Sequence, residues 1–148
     1  MRQINYLVVH CTAGNQKESL DDLIKGFRDI GWKNNGYHIW IDGNGVRHNI
    51  TPLENIANGV KNKNANSIHV SYAGGIDAKG KPIDNRTDAQ KEMLITVLKE
   101  LKQKYPKAKI LGHRDFSPDT NHNGKVDRIE WIKVCPCFDA ILEYANIK

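Results

Sequence analysis

The sequence predicts an α/β fold: a mixed central β-sheet flanked by helices. Short apolar runs rich in β-branched residues recur, as at Ile4 to Val9 and Ile68 to Ala73. Longer stretches between them place apolar residues at helical spacing. The two kinds alternate, and hydrophobic residues make up 39% of the 148, enough for one core in a single domain, 1–148.

Ile4 to Val9 reads as a buried strand ending at a polar cluster. Ser19 is placed to N-cap a helix from Leu20 to about Ile30, with Leu20, Leu23, Ile24, Phe27 and Ile30 on one face and Gly31 as the stop. Tyr37 to Ile41 is a second strand. Asp42-Gly43-Asn44-Gly45 predicts a hairpin turn, since both glycines accept positive φ, and Val46 to Ile50 returns. Lys61 to Asn66 reads as an exposed loop. Ile68 to Ala73 is the next strand, and a Gly/Pro/Asp-rich loop follows. Thr87-Asp88-Ala89-Gln90 has the form of a capping box, opening a helix to about Tyr105 with Met93, Leu94, Val97, Leu98 and Leu101 inward. Lys109 to Gly112 is a short strand leading into His113. Cys135-Pro136 predicts the start of a last helix, with Phe138, Ile141, Leu142 and Ala145 inward.

The net charge of +5 favours an anionic partner, but the basic residues are scattered and do not alternate with aromatics. Nucleic-acid binding therefore gains no support. Three cysteines, an odd number, do not suggest a closed disulfide framework. A reducing compartment or a metal accounts for them better. The apolar run Tyr6 to Val9 is too short for a signal-peptide core, and no stretch is long enough to span a membrane. The expectation is a chain cytoplasmic as synthesised, without membrane insertion.

Candidate metal ligands fall at element ends: His10 after the first strand, His113 after the Ile110-Leu111-Gly112 run, and Cys135 at the start of the last helix. Two imidazoles and a thiolate suit Zn2+ and leave a fourth position for water. A helix N-terminus at Cys135 would favour its thiolate. Spacing alone leaves ordinary readings open: hydrogen-bonded histidines at strand ends and a small buried cysteine. A second pattern, Asp119 to Glu130, fits the EF-hand loop formula, with Asp119, Asn121, Asn123 and Glu130 as oxygen donors for Ca2+ and Gly124 at the sharp turn. Pro118 stands where an entering helix would be.

Several short motifs occur in order: Val8-Val9-His10-Cys11-Thr12-Ala13, Gly36-Tyr37-His38-Ile39, Asn66-Ser67-Ile68 through Gly74-Gly75, Gly112-His113-Arg114-Asp115, and Lys133-Val134-Cys135-Pro136-Cys137-Phe138-Asp139. Together they resemble the type-2 N-acetylmuramoyl-L-alanine amidases, the family of phage zinc amidases and peptidoglycan-recognition proteins. The resemblance runs from about Ile4 to Leu142. It implies that fold, with helices on both sheet faces, and a groove over the zinc. It also implies His10, His113 and Cys135 as the zinc ligands, with Cys137 a neighbouring non-ligand, and Tyr37 and Lys133 as catalytic residues. The implied reaction is zinc-dependent hydrolysis of the amide between N-acetylmuramic acid and L-alanine. The partner is then peptidoglycan or muropeptides, met by a monomer after release or export by another route.

The chain departs from that pattern in one place. Many family members carry a histidine in the loop before the Asn-Ser-Ile motif, whereas this chain has Asn58-Gly59-Val60-Lys61. Two rival functions follow from the same residues: a non-catalytic peptidoglycan-binding module, and a calcium-regulated interaction protein built on residues 119–130. Retention of Cys135, Tyr37 and Lys133 favours the enzyme over the first. A lone EF-like loop in an α/β chain argues against the second.

Overall fold

The computed structural model describes residues 1–148. Five strands form one sheet: β1 (Tyr6–Cys11), β2 (Ile39–Ile41), β3 (Arg47–Asn49), β4 (Ser67–Tyr72) and β5 (Lys109–Gly112). Their spatial order is β3-β2-β4-β1-β5. β1 pairs in parallel with both β4 and β5, β2 runs parallel to β4, and β3 returns antiparallel to β2. The sheet is therefore mixed, as expected.

Side-chain alternation divides the sheet into two unlike faces. Leu7, Val9, Ile39, Ile41, Ile68, Val70 and Tyr72 share one, and join one hydrophobic cluster with Leu94, Val97, Leu98 and Leu101. Those leucines and the valine lie on α2 (Asp88–Lys104). The capping box forms as predicted: Gln90 N–H donates to Thr87 Oγ1 at 3.1 Å, and Thr87 N–H to Gln90 Oε1 at 3.0 Å. Gln90 is itself buried and donates to the Ala73 carbonyl, tying the helix start to the end of β4.

On the opposite face, Trp40 and Ala73 pack against Leu23 and Phe27 of α1 (Leu20–Asp29). Ser19 caps that helix by accepting from Asp22 N–H at 3.1 Å, and Gly31 leaves it at φ +89°. Alternation also puts Val8, His10, Ser67, His69 and Ser71 on this face, all of them buried. A sheet face this polar must satisfy its own hydrogen bonds, and it is here that the candidate ligands lie.

Some expectations are corrected. β1 continues to Cys11, so His10 lies within the strand. Tyr37 stands outside β2, at φ +64°. In the hairpin only Gly45 has positive φ; Gly43 is needed for space, since a Cβ there would meet the Gln16 carbonyl oxygen at 2.2 Å. The last helix, α3, spans only Ala140–Glu143 and is capped by Asp139, which accepts from Leu142 N–H. Tertiary contacts hold residues 135–138 irregular: Tyr72 OH donates to the Pro136 carbonyl at 2.6 Å, and Cys137 sits at φ +73°. The inward residues are consequently Phe138, Ala140 and Tyr144, while Ile141 and Leu142 are exposed. Ile30, expected inward on α1, is exposed at the C-cap.

Leu98 is fully buried at the centre of the α2–sheet contact. Leu98→Ala should lower unfolding stability in urea by about 2–5 kcal/mol. Ile129→Ser, at a position almost wholly exposed, should change it by no more than about 0.5 kcal/mol.

Candidate metal centre

Parallel pairing brings two imidazoles side by side. Val9 of β1 is opposite Gly112 of β5, so His10 and His113 are each the next residue along. Their ring centroids are 4.9 Å apart. Both lie at the carboxyl ends of parallel strands, where α/β sheets place their ligands. Asp115 turns the chain after β5 by accepting from Gly112 N–H at 2.7 Å.

Cys135 arrives from the far end of the chain. Its backbone carbonyl accepts from Arg114 N–H at 2.8 Å, and its Sγ accepts from Cys11 N–H at 3.2 Å. Gly112 permits this approach, because a Cβ there would meet Pro136 Cδ at 2.7 Å. The buried Arg114 guanidinium stacks 3.9 Å over the Trp131 ring and braces the segment leading to Cys135. As a result, ligand atoms of His10, His113 and Cys135 all lie within 4.8 Å of one another. His10 Nδ1 is 3.9 Å from Cys135 Sγ.

The electrostatics suit neutral imidazole donors. Burial, reinforced by the neighbouring His69, His113 and His38, holds the His10 pKa well below the ordinary value. Burial, with Lys133 nearby, lowers that of His113. Cys137 is not part of the cluster. Its Sγ lies 3.9 Å from Cys11 Sγ and donates to the Gly75 carbonyl at 3.4 Å. Both thiols are pushed upward: Cys11 to about 12, chiefly by its hydrogen bond with Cys135 and by burial, and Cys137 by its hydrogen bond with Cys11 and by burial. The structure thus gathers Cys135, not Cys137, with the histidines. Because α3 begins only at Ala140, no helix N-terminus acts on Cys135, and that part of the expectation is corrected.

Tyr37 and Lys133 both border the cluster. The Tyr37 ring centroid is 5.1 Å from that of His10, and its hydroxyl donates to the Cys11 carbonyl at 3.4 Å, the same carbonyl that Cys135 Sγ approaches. Burial raises the Tyr37 pKa, so the hydroxyl keeps its proton. Lys133 is exposed and lines a cleft of about 310 Å³ with His113, Val60, Lys61, Phe116, Ser117 and Ile132.

Sequence reasoning missed a layer of polar residues beneath His10. His10 Nε2 is 2.9 Å from His69 Nδ1, and His69 Nε2 is 2.9 Å from Asn64 Oδ1. His69 N–H donates to His38 Nδ1, whose Nε2 donates to the Asn55 carbonyl. The available signal was the alternation Ser67-x-His69-x-Ser71 in a strand buried on both sides.

The calcium expectation finds no support. Glu130 turns inward and spends its carboxylate on the backbone N–H groups of Thr120, Asn121 and Asp127. Asp119 and Asn121 likewise accept from loop N–H groups, and the acidic residues there do not converge as the His/His/Cys group does.

This fold belongs to a recognisable class. The family profile described as N-acetylmuramoyl-L-alanine amidase matches residues 1–128, and the chain belongs to that family of amidases. Among its relatives is the endolysin of Enterobacteria phage K11, 33% identical over 140 residues, with 93% of this chain and 83% of the relative covered. An uncharacterized protein of Haemophilus influenzae is 49% identical over 80 residues, covering 54% of this chain and 69% of that one. In solved structures the fold recurs in the N-acetylmuramoyl-L-alanine amidase LysC of Clostridium intestinale, at 21% identity and TM-score 0.75, covering 99% of this chain and 88% of that one. Apis mellifera PGRP-SA shares it at 13% identity and TM-score 0.68, with 99% and 84% covered. No helix is long and apolar enough to cross a membrane.

Burial pushes the His38 pKa down to about 4, from an ordinary 6.5. Between those values the unfolded chain carries a proton at His38 that the folded chain lacks. Its stabilising contribution is therefore present above about pH 6.5 and lost as the pH falls to about 4. In metal-free protein, urea stability should decline across that window, and His38→Gln should remove up to one proton from the slope. An unchanged slope would contradict the assignment.

Proposed function

We propose that the chain is a zinc-dependent hydrolase of the amide between N-acetylmuramic acid and L-alanine in peptidoglycan, acting as a monomer through a single domain, 1–148. The observation that carries this reading is the convergence of His10, His113 and Cys135 within 4.8 Å at the carboxyl ends of β1 and β5. The donor set fits zinc: two nitrogens held neutral by burial and one sulfur, a count that leaves a fourth position for a further ligand. Membership of the amidase family and likeness to phage endolysins support the substrate. Zinc, when bound, supplies Lewis acidity and lowers the pKa of water to about 7.

The chain's own residues would do the rest. His10, His113 and Cys135 would hold the metal, and His113 also lines the cleft that Lys133 lines. An amide carbonyl under attack develops negative charge on oxygen, and preorganised donors stabilise that charge most where water is scarce. Tyr37 offers a hydroxyl that keeps its proton and can donate to the oxyanion. Lys133 offers a positive charge near His113. The wall is reached after release or export by another route, in keeping with the phage endolysins among the relatives.

Purified protein incubated with muropeptides should release free stem peptide when zinc-loaded and none after chelation. Absence of release from the zinc-loaded sample would refute the enzyme reading and leave a binding module. Tyr37→Phe and Lys133→Ala should retain zinc while lowering kcat by roughly 10²–10³-fold each, the usual cost of removing an oxyanion donor. Cys135→Ser should lose zinc and most activity, whereas Cys137→Ser should keep both.

A further inference from the structure

A metal ligand offers a lone pair, so which nitrogen of His10 carries the proton decides whether the site is ready for zinc. Hydrogen-bond partners beneath the site settle that choice, starting from a donor whose identity is unambiguous. Val60 backbone N–H donates to Asn64 Oδ1 at 2.9 Å, which fixes this atom as the amide oxygen. That oxygen can only accept, so His69 Nε2, 2.9 Å away, is the protonated nitrogen. His69 Nδ1 then carries a lone pair and accepts from His10 Nε2–H at 2.9 Å. His10 Nδ1 is left bare, facing Cys135 Sγ.

The surroundings are built around His69. A Cβ at Gly59 would fall 2.4–2.5 Å from three atoms of its ring, so only glycine lets the loop lie on that imidazole. Arg2 donates to the backbone carbonyls of Asn64 and Ser67, at 2.8 Å each, pinning the segment that presents Asn64. His38 receives His69 N–H from the other side. His69 has no exposed surface, and its ring nitrogens are both engaged within this chain of bonds.

We propose that His69, oriented by Asn64, is a positioning residue that presets the His10 tautomer and aims its Nδ1 lone pair at the metal. The proposal rests on the zinc reading given above for its consequence, but not for the tautomer itself. Outer-shell partners of this kind typically alter metal affinity about 10–100-fold when removed.

The test has two arms. In the first, nitrogen-15 NMR of the metal-free wild type reads the His10 tautomer directly. A pyrrole-like Nε2 and a pyridine-like Nδ1 are expected, and the reverse pattern, or a mixture, would overturn the proposal whether or not zinc binds. In the second, chelator competition measures zinc affinity, with folding checked by circular dichroism. His69→Leu should bind zinc about 10–100-fold more weakly than wild type. His69→Asp, which restores an oxygen that can only accept, should recover most of that loss. His69→Leu binding zinc as tightly as wild type would overturn the proposal. A wild type that binds no zinc would instead overturn the zinc reading, with the NMR result still deciding the tautomer.

Discussion

The site depends on one strand, β1, being paired in parallel along both edges. Its pairing with β5 sets His10 beside His113, and its pairing with β4 sets it over the layer that contains His69. The last residue of β1, Cys11, offers its backbone N–H to Cys135 Sγ. Segments more than a hundred residues apart in sequence thus meet at one strand end because the sheet places them there. Were β1 to slip by one residue, His10 would move to the apolar face and Val9 would stand in the site.

The cost of this arrangement is a polar sheet face sealed from water. The molecule meets it by hydrogen-bonding the buried imidazoles to one another and to backbone groups, and by keeping them neutral. His38 and His69 are both held far below the ordinary imidazole range by burial, at about 4 and about 3. Neutral imidazole is also the form that binds a metal, so the physics that makes the face foldable also suits it to hold one. The opposite face is ordinary: aliphatic side chains under an amphipathic helix.

Much of this was legible in the sequence. The capping box at Thr87, the Ser19 cap and, apart from Ile30, the apolar faces of α1 and α2 are local patterns, and they appear as read. The ordered motifs led to His10, His113 and Cys135, which the fold gathers. The misreadings arise where contacts outside the pattern, tertiary in one case and within a loop in the other, override a local rule. Pro136 looked like the first residue of a helix, but Tyr72 and Gly112 hold its segment irregular, and the helix waits for Asp139. The EF-hand formula was complete, yet Glu130 satisfies backbone donors within the loop instead. The role of His69 was not legible, since it depends on Gly59 and Asn64 closing over it, and no spacing rule connects those residues. In the segment where the family pattern has a loop histidine, this chain has a glycine lying on a strand histidine.

The central claim is that His10, His113 and Cys135 bind one zinc ion. X-ray absorption at the zinc edge of the stoichiometric complex tests it most directly. One sulfur at about 2.3 Å and two imidazole nitrogens at about 2.0–2.1 Å, with a light atom completing the shell, is the predicted result. Two sulfurs, or none, would contradict it.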